Sequence, residues 1–166
     1  MPKPVTLTLA DEVETRALAD ALAGILGVGD TLLIEGPIGA GKTALARALI
    51  HAAQTRAATA PEDVPSPTFT LVQTYAAGPL EIWHADLYRL TRPDEVLELG
   101  LDEAFSTALC LIEWPDRLGD LAPEGALTLR LAQGPTEDSR IATFSFDDPD
   151  WSTRLAPALA RGVTHG

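Results

Sequence analysis

The segment Gly36-Pro37-Ile38-Gly39-Ala40-Gly41-Lys42-Thr43 constrains this chain more than any other, because it matches G-x-x-x-x-G-K-[ST] at every position. Before it, Thr31-Leu32-Leu33-Ile34 reads as a short buried strand. After it, Thr43 to Gln54 reads as a helix with Leu45, Ala48, Leu49 and Ala52 on one face. Strand, glycine-rich turn and helix in that order are what phosphate binding requires. The glycines let the backbone curl until successive N–H groups converge on phosphate oxygens, and the helix N-terminus adds a partial positive charge. Lys42 contributes a full charge, and Thr43 offers a hydroxyl to the Mg²⁺ that accompanies a nucleotide. A glycine turn with no ligand is the competing explanation, and correct flanks on both sides weigh against it. The expectation is a site for a nucleoside triphosphate.

A chain of 166 residues is long enough for one well-buried core, so residues 1–166 are expected to form a single domain. The formal net charge of −12 would repel a phosphate backbone, and no basic stretch interrupts it. Tight, direct binding of nucleic acid by this chain alone is therefore not expected. Of the 12 basic residues only Lys3 and Lys42 are lysine, and one of them stands where a P-loop needs it. Cys110 is the single cysteine, which excludes an internal disulfide, and its apolar setting points to a buried structural thiol. Met1-Pro2-Lys3-Pro4 opens no signal peptide, and no apolar run reaches the length of a membrane span. The simplest expectation is a cytoplasmic protein with no membrane partner.

Val5 to Leu9 alternates like a half-buried strand. Asp11 and Glu14 then have capping-box spacing before a helix carrying Leu18, Leu22, Ile25 and Leu26 on one face, closed by Gly27 and Gly29. Thr55 to Pro67 is rich in Ala and Pro and reads as a loop near the nucleotide. Thr68 to Tyr75 alternates with Phe69, Leu71, Gln73 and Tyr75 on one side. Gly78-Pro79 then turns the chain into a second strand, Leu80 to Ala85, to make a hairpin. A short helix from Thr91-Arg92-Pro93-Asp94 ends at Gly100, and Asp102 begins another. Ala108 to Ile112 is a continuous apolar strand of the kind found inside a sheet covered on both faces. Ala126 to Leu131 and Arg140 to Phe146 are late strands joined through Gly134-Pro135. Asp150 is expected to cap a final helix that packs through Leu155 and Leu159. The fold class is α/β, a sandwich around a mixed, partly antiparallel sheet.

A P-loop needs a second acid near the metal, usually at the C-terminal end of a neighbouring apolar strand. Glu113 ends the run Ala108 to Ile112 and is the stronger candidate. Asp86, in His84-Ala85-Asp86-Leu87-Tyr88-Arg89, is the other. Either acid could instead cap a helix or face solvent. His84 invites a general-base role, although a lone strand histidine is more often packed structurally; the same holds for Tyr88. Trp114 either covers the site, contacts a partner or fills the core. Thr68 either senses a γ-phosphate or simply starts its strand.

Taken together, Gly36 to Thr43, Ser66-Pro67-Thr68-Phe69-Thr70-Leu71-Val72, His84 to Leu90 and Ile112-Glu113-Trp114 resemble, in order and spacing, the bacterial TsaE (YjeE) family. The resemblance covers about residues 5–132, and residues 147–166 form a helical extension outside it. These family members are small P-loop ATPases that support threonylcarbamoyl transfer to adenosine 37 of tRNAs reading codons that begin with A. The resemblance implies a P-loop NTPase-like three-layer sandwich, bound ATP and Mg²⁺, weak intrinsic hydrolysis and a partnership with the TsaD–TsaB pair. TsaD carries the transfer chemistry, so tRNA is met only through the partners. By position, the resemblance implies a nucleotide cradle of Gly36, Gly39, Ala40, Gly41, Lys42, Thr43 and Ala44, with Thr68 and Trp114 beside it. It implies Thr43, Glu113 and Asp86 as metal-site residues, and Glu113, Asp86 and Lys42 as the catalytic set. Which of Asp86 and Glu113 positions the attacking water stays open. Pro37-Ile38 stands where relatives often have Asp-Leu, and Ala44 where a second Thr is common.

Two other readings compete. A small-molecule or nucleotide kinase shares the glycine spacing, but kinases need further positive residues to neutralise the moving charge, and from Glu113 to Gly125 only Arg117 is basic. A nucleotide-dependent binding module without turnover differs from a partner-activated ATPase only in its response to the partner.

Overall fold

The computed structural model describes residues 4–160. Strand alternation and helical spacing resolve into β1 (Val5–Leu9), α1 (Glu12–Ala23), β2 (Thr31–Glu35), α2 (Lys42–Arg56), β3 (Val72–Ala77) and β4 (Leu80–Asp86). These are followed by α3 (Glu95–Leu99), α4 (Leu101–Thr107), β5 (Leu109–Glu113), a 3₁₀ segment (Pro115–Leu121), β6 (Leu127–Gln133), β7 (Arg140–Ser145) and α5 (Asp150–Ala160). One seven-stranded sheet has the order β1-β7-β6-β2-β5-β4-β3. Its middle, β6-β2-β5-β4, is parallel, and both flanks, β1-β7-β6 and β3-β4, are antiparallel. The mixed α/β sandwich expected from the sequence is therefore the architecture present.

Every residue of β5 is buried, because β5 lies between β2 and β4 and both its faces are covered. One face packs Leu109 and Leu111 into the larger core with Leu45, Leu49 and Ile50 of α2 and Leu18 and Leu22 of α1. The other sends Cys110 and Ile112 against Val96 of α3 and Leu101 and Ala104 of α4. Cys110 is a buried structural thiol, and desolvation pushes its pKa up to about 12, which leaves it protonated and inert. Among the described residues, no helix is long and apolar enough to cross a membrane.

Several boundaries differ from the expectation, each for a local reason. Helix α1 stops at Ala23, and Gly24 is its C-cap, so Ile25 and Leu26 follow the helix instead of lying on it. At its other end Glu14 N–H donates to Asp11 Oδ1 (3.0 Å), one of the two bonds that the spacing predicts, and Glu14 Oε1 accepts from Ala10 N–H (3.0 Å), the residue before the cap. Helix α2 buries Leu45, Ala46, Leu49, Ile50 and Ala53; Ala48 and Ala52 lie at the margin of that stripe. Thr68 to Thr70 form a turn, not a strand. Leu71 N–H closes it on Pro67 O (2.7 Å), Leu71 adopts a φ of 69°, and β3 begins only at Val72, leaving Phe69 exposed. The loop before it is tied to α2: Arg47 donates to Val64 O (2.9 Å), and Gln54 bonds to Glu62. Helix α4 starts at Leu101, with Gly100 at φ 83° as its N-cap. The cap of α5 is Asp148, whose Oδ1 accepts from Asp150 N–H (2.9 Å), so Asp150 is the capped residue and not the cap.

Helix α5 docks through Leu155, which is fully buried, and Leu159; residues 161–166 of the expected extension lie outside the described chain. Arg154 locks it in place. Its guanidinium donates to both carboxylate oxygens of Asp30 (2.6 and 3.0 Å) and to Ile25 O (2.8 Å), and stacks 4.1 Å from the Trp151 ring centroid. The hydrogen bonds to Asp30 raise its pKa further. Arg154→Leu is expected to cost about 1–2 kcal/mol, because the paired carboxylate of Asp30 is left half-buried without its fork. Urea denaturation measures this as a lower midpoint at unchanged slope.

Candidate functional site

Strand β2 leads directly into Gly36, which stands where no side chain fits. Its φ is 145°, and a β-carbon there would lie 2.4 Å from Leu131 O on β6. Gly36→Ala is expected to destabilise the fold by about 3 kcal/mol, combining backbone strain with overpacking against a carbonyl that cannot move alone. Thermal denaturation tests it; a midpoint within 2–3 °C of the parent, roughly 1 kcal/mol or less for a domain of this size, would contradict it. Gly41 (φ 97°) is the N-cap of α2 and has no side chain to bond the first-turn N–H groups, which stay open toward a ligand.

Lys42, only 5% exposed, lies back along the loop: Nζ donates to Gly36 O (2.7 Å) and Pro37 O (2.8 Å). It also sits 4.3 Å from the centroid of the Trp114 ring. Burial lowers its pKa, and the Glu113 and Asp86 carboxylates act in the opposite direction. Trp114 takes a left-handed backbone conformation, φ 58° and ψ 55°, which is costly for a bulky residue and brings its ring over the site. Tyr88 meets that ring edge-on with centroids 4.8 Å apart.

The two acids reach the loop because β4 and β5 run parallel with Asp86 opposite Glu113, putting both at C-terminal strand ends. Both are buried. Glu113 receives Thr43 Oγ1–H at both carboxylate oxygens (2.8 and 3.0 Å), and His84 Nε2 lies 2.6 Å from its Oε2. Asp86 Oδ2 accepts from Thr68 Oγ1 (3.2 Å), and its Oδ1 accepts from Tyr88 N–H (3.0 Å). A cavity of about 500 Å³ is lined by Gly39, Gly41, Lys42, Thr43, Ala44, Thr68, Asp86, Glu113 and Trp114 among others. Gly36 and Ala40 shape the loop from behind, one through its carbonyl to Lys42, the other through its carbonyl to Arg140 Nε (3.1 Å).

All the candidate residues thus converge on one place. The donor set fits a divalent cation that is shared with phosphates. Thr43 Oγ1 and the Glu113 carboxylate already stand within hydrogen-bond distance, with Asp86 beside them. No cluster of three or more acidic, histidine or cysteine ligands exists among the described residues to hold an ion unaided.

Two participants escaped the sequence. Arg140 lies 100 residues from the loop it holds, and nothing local marks it. Ser66, bonded to Thr68 (2.7 Å), lies in a quoted block but carries no chemistry by itself. The bond from His84 to Glu113 had a signal: His84 and Asp86 are two apart on a strand and so share a face. A second cavity of about 280 Å³ adjoins the first across Gly41 and Ala44, and Arg16, Arg47, His51 and Arg140 line it.

A parallel strand, a glycine loop folded around a buried lysine, a helix N-terminus and two strand-end acids define a P-loop NTPase-like protein. The model for the family described as "Threonylcarbamoyl adenosine biosynthesis protein TsaE" matches residues 9–141. The chain is 44% identical to the tRNA threonylcarbamoyladenosine biosynthesis protein TsaE of Rickettsia conorii, over 89% of this chain and 91% of that protein. It is 36% identical to the Bacillus subtilis protein of the same name, over 80% of this chain and 79% of that one. The crystal structure of Bacillus subtilis YdiB superposes with a TM-score of 0.76 at 26% identity, covering 96% of each chain. The chain belongs to the TsaE family.

Proposed function

We propose that this chain binds MgATP and hydrolyses it slowly, in support of threonylcarbamoyl modification of adenosine 37 in tRNAs that read codons beginning with A. The observation that carries the reading is the contact of Thr43 Oγ1 with Glu113, next to Asp86 and the buried Lys42, in a chain of the TsaE family.

In this reading Lys42 holds the β- and γ-phosphates while the N–H groups from Gly39 to Ala44 surround them. Thr43, Glu113 and Asp86 hold Mg²⁺, which when bound neutralises phosphate charge. Glu113 and Asp86 also orient the attacking water, and Thr68, already bonded to Asp86, responds to the γ-phosphate. Trp114 covers the lysine and excludes solvent. The smaller cavity beyond Ala44 takes the nucleoside side. The whole chain works as a single domain in the cytoplasm, and its partners are TsaD and TsaB. The net charge of −12 agrees with leaving tRNA contact to them. A kinase would need more positive charge: among the described residues Lys42 is the one basic residue lining the larger cavity.

The test is reconstituted tRNA modification with TsaD and TsaB. Adding this chain and ATP is expected to sustain many rounds per transferase, and omitting either to stop it after few. Equal multiple turnover without this chain would sink the reading.

A further inference from the structure

His84 stands in mid-β4 with its side chain fully buried. Register places it on the sheet face that carries Ile82 and Asp86 on β4 and Leu109, Leu111 and Glu113 on β5. An imidazole kept in such apolar surroundings only for packing would be expected to satisfy both ring nitrogens. His84 satisfies one. Nε2 lies 2.6 Å from Glu113 Oε2, while Nδ1 has no hydrogen-bond partner among the described residues. An ionised carboxylate only accepts, so Nε2 carries the proton and Nδ1 keeps a buried lone pair.

The Glu113 carboxylate is therefore held from two sides. Thr43 Oγ1–H is shared between Oε1 (2.8 Å) and Oε2 (3.0 Å), and His84 takes Oε2 alone. In the proposed reading Thr43 would hold the metal through its hydroxyl, which would then be withdrawn from Glu113. His84 is then the remaining side chain that fixes the carboxylate. We infer that His84 is a positioning residue for Glu113, pinning Oε2 from within the core so that Oε1 is the oxygen left to serve the nucleotide cavity. The inference rests on the proposed reading of Glu113 as the acid of a hydrolytic site. The pattern is that of a ligand oriented by an outer hydrogen bond.

The test uses the full chain with TsaD and TsaB, comparing the parent with His84→Leu, which keeps apolar bulk, and His84→Gln, which restores a donor near Nε2. His84→Leu is expected to lower ATP turnover by about 10- to 100-fold while ATP affinity shifts less than about threefold, and His84→Gln to recover at least about fivefold of the loss. A purely structural histidine would instead lower affinity and thermal midpoint together with turnover, with Gln no better than Leu. Long-range ¹⁵N–¹H spectra of the nucleotide-free parent give a second readout that needs no turnover. The expected result is the Nε2–H tautomer, its proton moving upfield in Glu113→Gln; an Nδ1–H tautomer overturns the inference whether or not the variants fold. Turnover of His84→Leu within threefold of the parent also overturns it, leaving the hydrolytic reading intact. A parent that binds ATP and never hydrolyses it overturns that reading instead, and the tautomer then decides the His84–Glu113 bond alone.

Discussion

Glu113→Gln is expected to reduce ATP hydrolysis by about 10²–10³-fold while leaving ATP affinity within about fivefold of the parent. The amide keeps the shape of the carboxylate and can still accept from His84, so the packing at the end of β5 survives. What is lost is the negative charge that meets Thr43 and, in the proposed reaction, the metal and the attacking water. Affinity is spared because, in the proposed reading, most phosphate contacts would come from Lys42 and the open N–H groups at the start of α2. Steady-state hydrolysis and calorimetric ATP titration separate the two effects. Equal loss of binding and turnover would contradict the role given to Glu113.

Lys42→Ala is expected to act in the opposite sense, weakening ATP binding by about 10²–10³-fold, roughly 3–4 kcal/mol, because a phosphate loses a desolvated charged partner. The free protein should tolerate the change. Burial disfavours the Lys42 ammonium, so removing it relieves desolvation and offsets the two lost bonds to Gly36 O and Pro37 O. Unfolding free energy is expected to stay within about 1 kcal/mol of the parent. A variant that binds ATP normally, or that supports repeated tRNA modification as well as the parent does, would remove Lys42 from the site.

The sheet was readable wherever one physical signal dominated. Ala108 to Ile112 is too apolar to be anything but a doubly covered strand, and Gly78-Pro79 leaves β3 and β4 little choice but a hairpin. The chain misled where local pattern and local chemistry disagreed. Thr68 to Leu71 alternates like a strand, but Asp86 N–H is taken by Leu71 O and Asp86 Oδ2 by Thr68 Oγ1, which bends the segment into the site. The site's acids were legible because strand-end carboxylates after apolar runs are unusual. Their mutual arrangement was not, since it depends on the parallel register that sets Asp86 opposite Glu113. Arg140 and Arg154 were invisible for the same reason. Each acts across more than 90 residues of chain, Arg140 on the Ala40 carbonyl and Arg154 on Asp30.

Release of phosphate from ATP by the purified chain, alone and with TsaD and TsaB present, tests the central claim most directly. The predicted result is a slow basal rate that rises at least about tenfold with the partners and falls away in Glu113→Gln. No stimulation, with the γ-phosphate appearing instead on a small metabolite, would contradict it and make the chain a kinase.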